Sequence, residues 1–112
     1  MEERFEAALK TFLVGAQKMV DEHHAINFPN LPYRSILRSD GGKKYLRIVT
    51  EDVYHENGKK DRPQVFCFLD IATGDVLKAA TWRAPAKHAR GNIYAEDNGM
   101  GGISAYGGRY LK

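Results

Sequence analysis

The sequence predicts an α+β or mainly β domain, with an N-terminal amphipathic helix followed by a small, strongly bent antiparallel sheet or an Sm-like/SH3-type barrel. Three observations lead there. Apolar residues at the start of the chain recur at spacings of three and four, the period of one helix face. Runs of β-branched and aromatic residues broken by turn-forming pairs fill most of the remainder. The length of 112 residues suits one domain, which at this size buries a modest core without disulfides or a structural metal.

The helix is expected over residues 1–25. Phe5, Ala8, Leu9, Phe12, Leu13, Ala16, Met19 and Val20 form one apolar stripe on an otherwise charged cylinder, a pattern made for packing. Glutamates in the first turn and His23-His24 in the last both suit the helix dipole. Asn27, Pro29 and Pro32 then oppose continuation, because residues before proline avoid the helical region. The segment from Asn27 to Tyr33 should therefore be extended and lead into a β-rich part over residues 33–112, the whole forming a single domain over 1–112.

Tyr45 to Val53 and Gln64 to Ile71 read as two strands. His55 to Arg62, with its Asn57-Gly58 pair, joins them as a hairpin. Thr73-Gly74-Asp75 turns the chain into a third strand over Val76 to Arg83, giving an antiparallel meander. Ser35 to Arg38 is expected to add a strand on one side, and Ile103 to Tyr106 another near the C-terminus. This element order suits a small closed barrel, which is preferred, although the same order also suits an open sheet covered by a helix.

Composition narrows the classes of function. An apolar fraction of 43% is that of an ordinary folded domain. Cys67 is the sole cysteine, so no internal disulfide exists, which fits a reducing, cytoplasmic compartment. No apolar run approaches the roughly 20 residues needed to span a bilayer, and the first residues are acidic where a signal peptide is basic and then apolar. Neither membrane insertion nor secretion is expected. Net charge is only +3, yet it is unevenly spread. Residues 1–24 carry a balance of −2, residues 33–47 carry +4, and the chain from Lys78 onward, Lys112 included, carries +4. Were the two basic segments to meet, one face would be positive and the helix face acidic.

The most informative stretch is Lys78 to Tyr94. It places Lys78, Arg83, Lys87 and Arg90 beside His88, Trp82 and Tyr94 without any carboxylate. If the path after Pro85 is a helical turn, residues 83, 87 and 90 share one face. Such a face suits phosphates, with affinity from counterion release, while Trp82 and Tyr94 would stack on bases. Arg47 is the candidate contribution from the first basic segment. The competing reading is ordinary: a tryptophan in a small domain is commonly core, and a basic stretch is commonly solvated surface.

Other chemistries find little support. Gly99 to Gly108 lacks the Gly-Lys-Ser/Thr of a phosphate loop, and its glycines suit tight backbone. His23, His24, His55 and His88 lack the helical spacing of a metal pair, and one cysteine cannot build a zinc ribbon. Neither a metal nor any other cofactor is expected. Cys67, inside an apolar strand, reads as buried and inert. Glu51, Asp52, Asp70 and Asp75 fall near strand ends, where acidic groups serve turns and solubility, and no partner lysine marks a nuclease site. No catalytic residue is assigned, and the protein is not expected to be an enzyme.

The pairing of Asp70-Ile-Ala-Thr-Gly-Asp-Val-Leu-Lys78 with Ala80-Thr-Trp-Arg-Ala-Pro-Ala-Lys-His-Ala-Arg-Gly-Asn-Ile93, together with the Tyr106-Gly-Gly108 ending, resembles a family of small uncharacterised proteins from tailed phages and marine viral metagenomes. The lead-in Ile26-Asn-Phe-Pro-Asn-Leu-Pro32 matches loosely. The resemblance covers most of the chain and implies a phage origin, an infected bacterial cytoplasm as the setting, and an Sm-like fold. It brings no activity and no catalytic residue. Two classes of function remain open. One is binding of single-stranded nucleic acid or another polyanion through Arg47, Lys78, Trp82, Arg83, Lys87, His88, Arg90 and Tyr94. The alternative is a protein-interaction or assembly module forming homo-oligomers without nucleic acid.

Overall fold

The computed structural model describes residues 2–109, so Lys112 of the C-terminal charge balance lies outside the described residues. Helix α1 spans Glu3–Asn27, two residues beyond the expected boundary. Its stripe is realised at Phe5, Phe12, Ala16 and Val20, all buried. The Phe28 amide donates to the His24 carbonyl at 2.8 Å and closes the last turn, after which Pro29 cannot propagate it.

Five strands follow: β1 (Tyr33–Ser39), β2 (Tyr45–Tyr54), β3 (Gln64–Asp70), β4 (Asp75–Ala79) and β5 (Pro85–Asn92). They hydrogen-bond in chain order, each antiparallel to the next, as an open meander with β1 and β5 at the edges. The architecture is α+β, and the expected Sm-like closure is not present. A physical reason lies on the free edge of β1. There the Gln17 side chain of α1 donates Nε2 to the Ser35 carbonyl at 2.8 Å and accepts from the Leu37 amide at 2.8 Å. These are bonds that a closing strand would make, so the helix occupies the edge that β5 would need.

Irregular register bends the sheet. An extra residue, Phe66, bulges from β3 where the pairing passes from Ile48↔Cys67 to Val49↔Val65, and β4 and β5 slip twice against each other. The helix packs on the concave face against Leu37, Leu46, Ile48, Leu69, Val76 and Ile93.

The third strand ends earlier than the expected Arg83. Ala80 and Thr81 donate their amides to the Ala84 carbonyl at 3.0 Å, and Thr81 Oγ1 accepts from Arg83 and Ala84. Residues 80–84 thus form a tight tip, and the chain returns as β5 where a loop or helical turn was expected. Pro85 is tolerated because it opens an edge strand. Near the C-terminus a 3-10 turn at Met100–Gly102 leads into β6 (Ile103–Ser104) and β7 (Gly107–Gly108). These two pair only with each other, so Ile103 to Tyr106 forms a small ribbon and not an added strand of the main sheet.

Candidate nucleic-acid interface

The face of the sheet turned away from α1 carries the candidate site. Its central row is Arg47 opposite Phe68, Phe68 opposite Leu77, and Leu77 opposite Ala89. Phe68 and Leu77 are buried although no helix covers this side. The tip of the β4–β5 hairpin bends over them. Arg47 Nε donates to the Trp82 carbonyl at 2.8 Å, and its guanidinium lies 4.6 Å from the Trp82 ring centroid and 5.8 Å from that of Phe68. This cation–π stack anchors the tip, and an Arg47–Asp40 ion pair at 3.3 Å holds the guanidinium from the other side. Arg47 is therefore a clamp, with its charge balanced by Asp40, and not a free phosphate contact.

The remaining candidates divide. Trp82 keeps 40% of its surface exposed, enough for one ring face to meet a ligand. Arg62 and Pro63, at the foot of the β2–β3 hairpin, line the same recess. Arg83 is exposed at the tip, and among the described residues neither Arg62 nor Arg83 has a carboxylate within 4.0 Å. Lys87, exposed on β5, lines an adjoining hollow of the same face beside Tyr45, Asp70 and Asp75. His88 is exposed on β5. Residues 83, 87 and 90 do not share a helical face, because residues 85–92 form strand β5 and Arg90 is the extra residue where the pairing passes from Leu77↔Ala89 to Val76↔Gly91.

Three candidates leave the cluster. Arg90 donates Nε to the Arg109 carbonyl at 2.8 Å and also bonds the His88 carbonyl, so it ties down the C-terminal segment. Lys78 lies where Gly108 of β7 packs against its backbone, on the helix side. Tyr94 packs against the core with the Arg4 guanidinium 4.0 Å from its ring centroid. The site thus gathers Arg47, Trp82, Arg83 and Lys87, and adds Arg62, which sequence reasoning missed. Its only trace was an arginine beside a proline at the start of a strand.

One other expectation can be placed. Cys67 is fully buried, and burial pushes its thiol well above the ordinary range, so it is held as the unreactive thiol. No group of three or more histidine, cysteine or acidic side chains among the described residues is arranged to hold a metal. No helix among the described residues is long and apolar enough to cross a membrane.

Acid should weaken the fold through two carboxyls. The bond from Arg34, at 2.7 Å, holds Asp21 below the usual carboxylate range against the opposing cost of burial. Backbone amides of Gly101 and Gly99 do the same for Asp97. The unfolded chain, with carboxyls near the ordinary value of about 3.9, takes up these protons first. The stability they contribute is complete above that value and is lost as pH falls through their lower folded values. Asp21→Asn should lower Tm at neutral pH and flatten the acid limb of a Tm-against-pH curve as pH falls below the ordinary carboxylate range.

Fold and site together define a small α+β domain, one helix on an open five-stranded meander, with a basic-aromatic hairpin tip on its uncovered face. The chain belongs to a family of unknown function, DUF7717, whose match covers residues 4–111. No curated protein and no solved structure matches it.

Proposed function

We propose that the uncovered face of the sheet binds a phosphate polyanion, single-stranded nucleic acid foremost, without catalysing a reaction. One observation carries this reading: the Trp82 ring is fixed from below by Arg47, remains 40% exposed above, and is flanked by the unpaired cations Arg62 and Arg83. A rigid aromatic platform between cations is what a sequence-tolerant single-strand binder needs, each stacked base contributing about 1–3 kcal/mol. Lys87 extends the positive surface along β5. The proposed setting is the cytoplasm of a bacterium infected by a phage that encodes the protein, as the resemblance to viral proteins implies.

Assembly into homo-oligomers through the β5 edge is the competing reading. The exposed Lys87 opposes it, since a charged side chain on an edge strand discourages self-pairing. Fluorescence anisotropy with labelled single- and double-stranded DNA and RNA tests the proposal, beside an Arg83→Glu/Lys87→Glu variant. Binding should weaken with salt, and the variant should lose at least about tenfold in affinity and about 0.7 of log–log salt slope per contact removed. An absence of binding at low salt would leave assembly as the reading to pursue.

A further inference from the structure

Core-facing positions of a sheet packed under a helix are normally apolar. Here that rule holds over Leu37, Ile48 and Cys67 and then breaks. At the end of the sheet under the last turns of α1, the same face carries Ser35 opposite Asp52, and Thr50 opposite Gln64. With His24 and the rings of Tyr33 and Tyr106 they line a recess of about 210 Å³. A water takes roughly 30 Å³ of liquid volume, so the space admits a small organic molecule.

The polar groups there are incompletely used. Ser35, only 7% exposed, donates its hydroxyl to Asp52 Oδ1 at 2.6 Å. The other Asp52 oxygen has no protein partner, and no cation within the described residues pairs with this carboxylate. Arg34, the nearby guanidinium, is committed to Asp21 through two bonds of 3.2 and 2.7 Å. The Thr50 hydroxyl and the Gln64 amide likewise make no side-chain hydrogen bond within the described residues. No fully buried side-chain polar atom among the described residues lacks a partner, so these spare groups are open to a ligand. Tyr106 is 77% exposed on the β6–β7 turn and is held by a 2.9 Å bond to His23, which makes it a wall attached at one point.

We propose that this recess binds a small organic cation, a primary ammonium or guanidinium group, with the free oxygen of Asp52 as its counter-ion. Thr50 and Gln64 supply the remaining hydrogen bonds, and Tyr33 and Tyr106 supply aromatic walls. The charge decides the class. An anion would face an unpaired carboxylate, and a neutral polyol would leave that carboxylate without a counter-charge, whereas an ammonium gains a charge-assisted bond and ring contacts. The site lies on the helix side of the sheet, away from Trp82, and does not depend on the polyanion reading.

Titration of the ¹⁵N-labelled chain with agmatine and with n-butylammonium tests it, with butyrate and butanol as controls. Both cations should give saturable amide shifts at Thr50, Asp52 and Gln64, and butyrate should give none. Asp52→Asn retains an acceptor for Ser35, so it should stay folded and lose at least about tenfold in affinity, the equivalent of about 1.4 kcal/mol. Gln64→Leu, at an exposed position, should weaken binding without affecting the fold, and it decides the matter with the butyrate control if Asp52→Asn unfolds. A short arginine-containing peptide separates the two sources of the group: tighter binding than agmatine points to a protein tail, weaker binding to a free amine. No saturable shift with either cation, equal shifts with butanol, or unchanged affinity in a folded Asp52→Asn would overturn the proposal.

Discussion

Phe12→Ala should lower the unfolding free energy by about 3–5 kcal/mol, the range for truncating a fully buried phenylalanine. Phe12 has no exposed surface and lies midway along α1, the element that roofs the concave face. A domain of this size has about 5–15 kcal/mol in total, so the loss approaches the whole margin at the lower end. Chemical denaturation should show a lower midpoint with an unchanged slope. Val14→Ala, on the same helix but 66% exposed, should change stability by less than about 0.5 kcal/mol. The contrast between the two isolates packing from helix propensity.

Gly107→Ala should cost about 2–6 kcal/mol, combining backbone strain with forced displacement of neighbouring atoms. Gly107 has φ of 117°, a region that only glycine enters readily, and a Cβ built there would stand 2.2 Å from the Phe66 carbonyl oxygen. That carbonyl belongs to the bulged residue of β3, which cannot move without disturbing the register on both sides. The C-terminal ribbon would be lifted from the sheet. Amide exchange should therefore accelerate at Ile103 and Gly108 even where the remaining sheet stays folded.

These two positions show what was and was not legible in the sequence. The stripe through Phe5, Phe12, Ala16 and Val20 was plain, because a helix face writes itself at spacings of three and four. The strands β2 and β3 were equally plain from their β-branched and aromatic runs and the Asn57-Gly58 turn, while β1 showed only as a short candidate over Ser35 to Arg38. Two things escaped. That the sheet stays open depends on Gln17, a polar residue on the helix whose contact with the β1 edge has no local signature. The strand beginning at Pro85 reads Pro-Ala-Lys-His-Ala-Arg-Gly-Asn, which lacks β-formers altogether. It is a strand because the tight tip at residues 80–84 sends the chain back along β4.

The candidate site was legible as composition and not as geometry. The basic run correctly drew attention to Trp82, Arg83 and Lys87. It could not show that a bond to the Arg109 carbonyl removes Arg90, that the core takes Tyr94, or that Asp40 balances Arg47. Arg62 joins Trp82 only because two hairpin ends fall side by side across the sheet.

Trp82 is the only tryptophan in the chain, so its intrinsic fluorescence reports from the proposed platform alone. Titration with unlabelled single-stranded oligonucleotide at low and moderate salt, followed by that emission, tests the central claim most directly. Saturable quenching that weakens as salt rises is the predicted result, since a base stacked on the ring quenches it while phosphates are held by Arg62, Arg83 and Lys87. Emission that stays unchanged at low salt, or binding seen by anisotropy with Trp82 unquenched, would contradict the account.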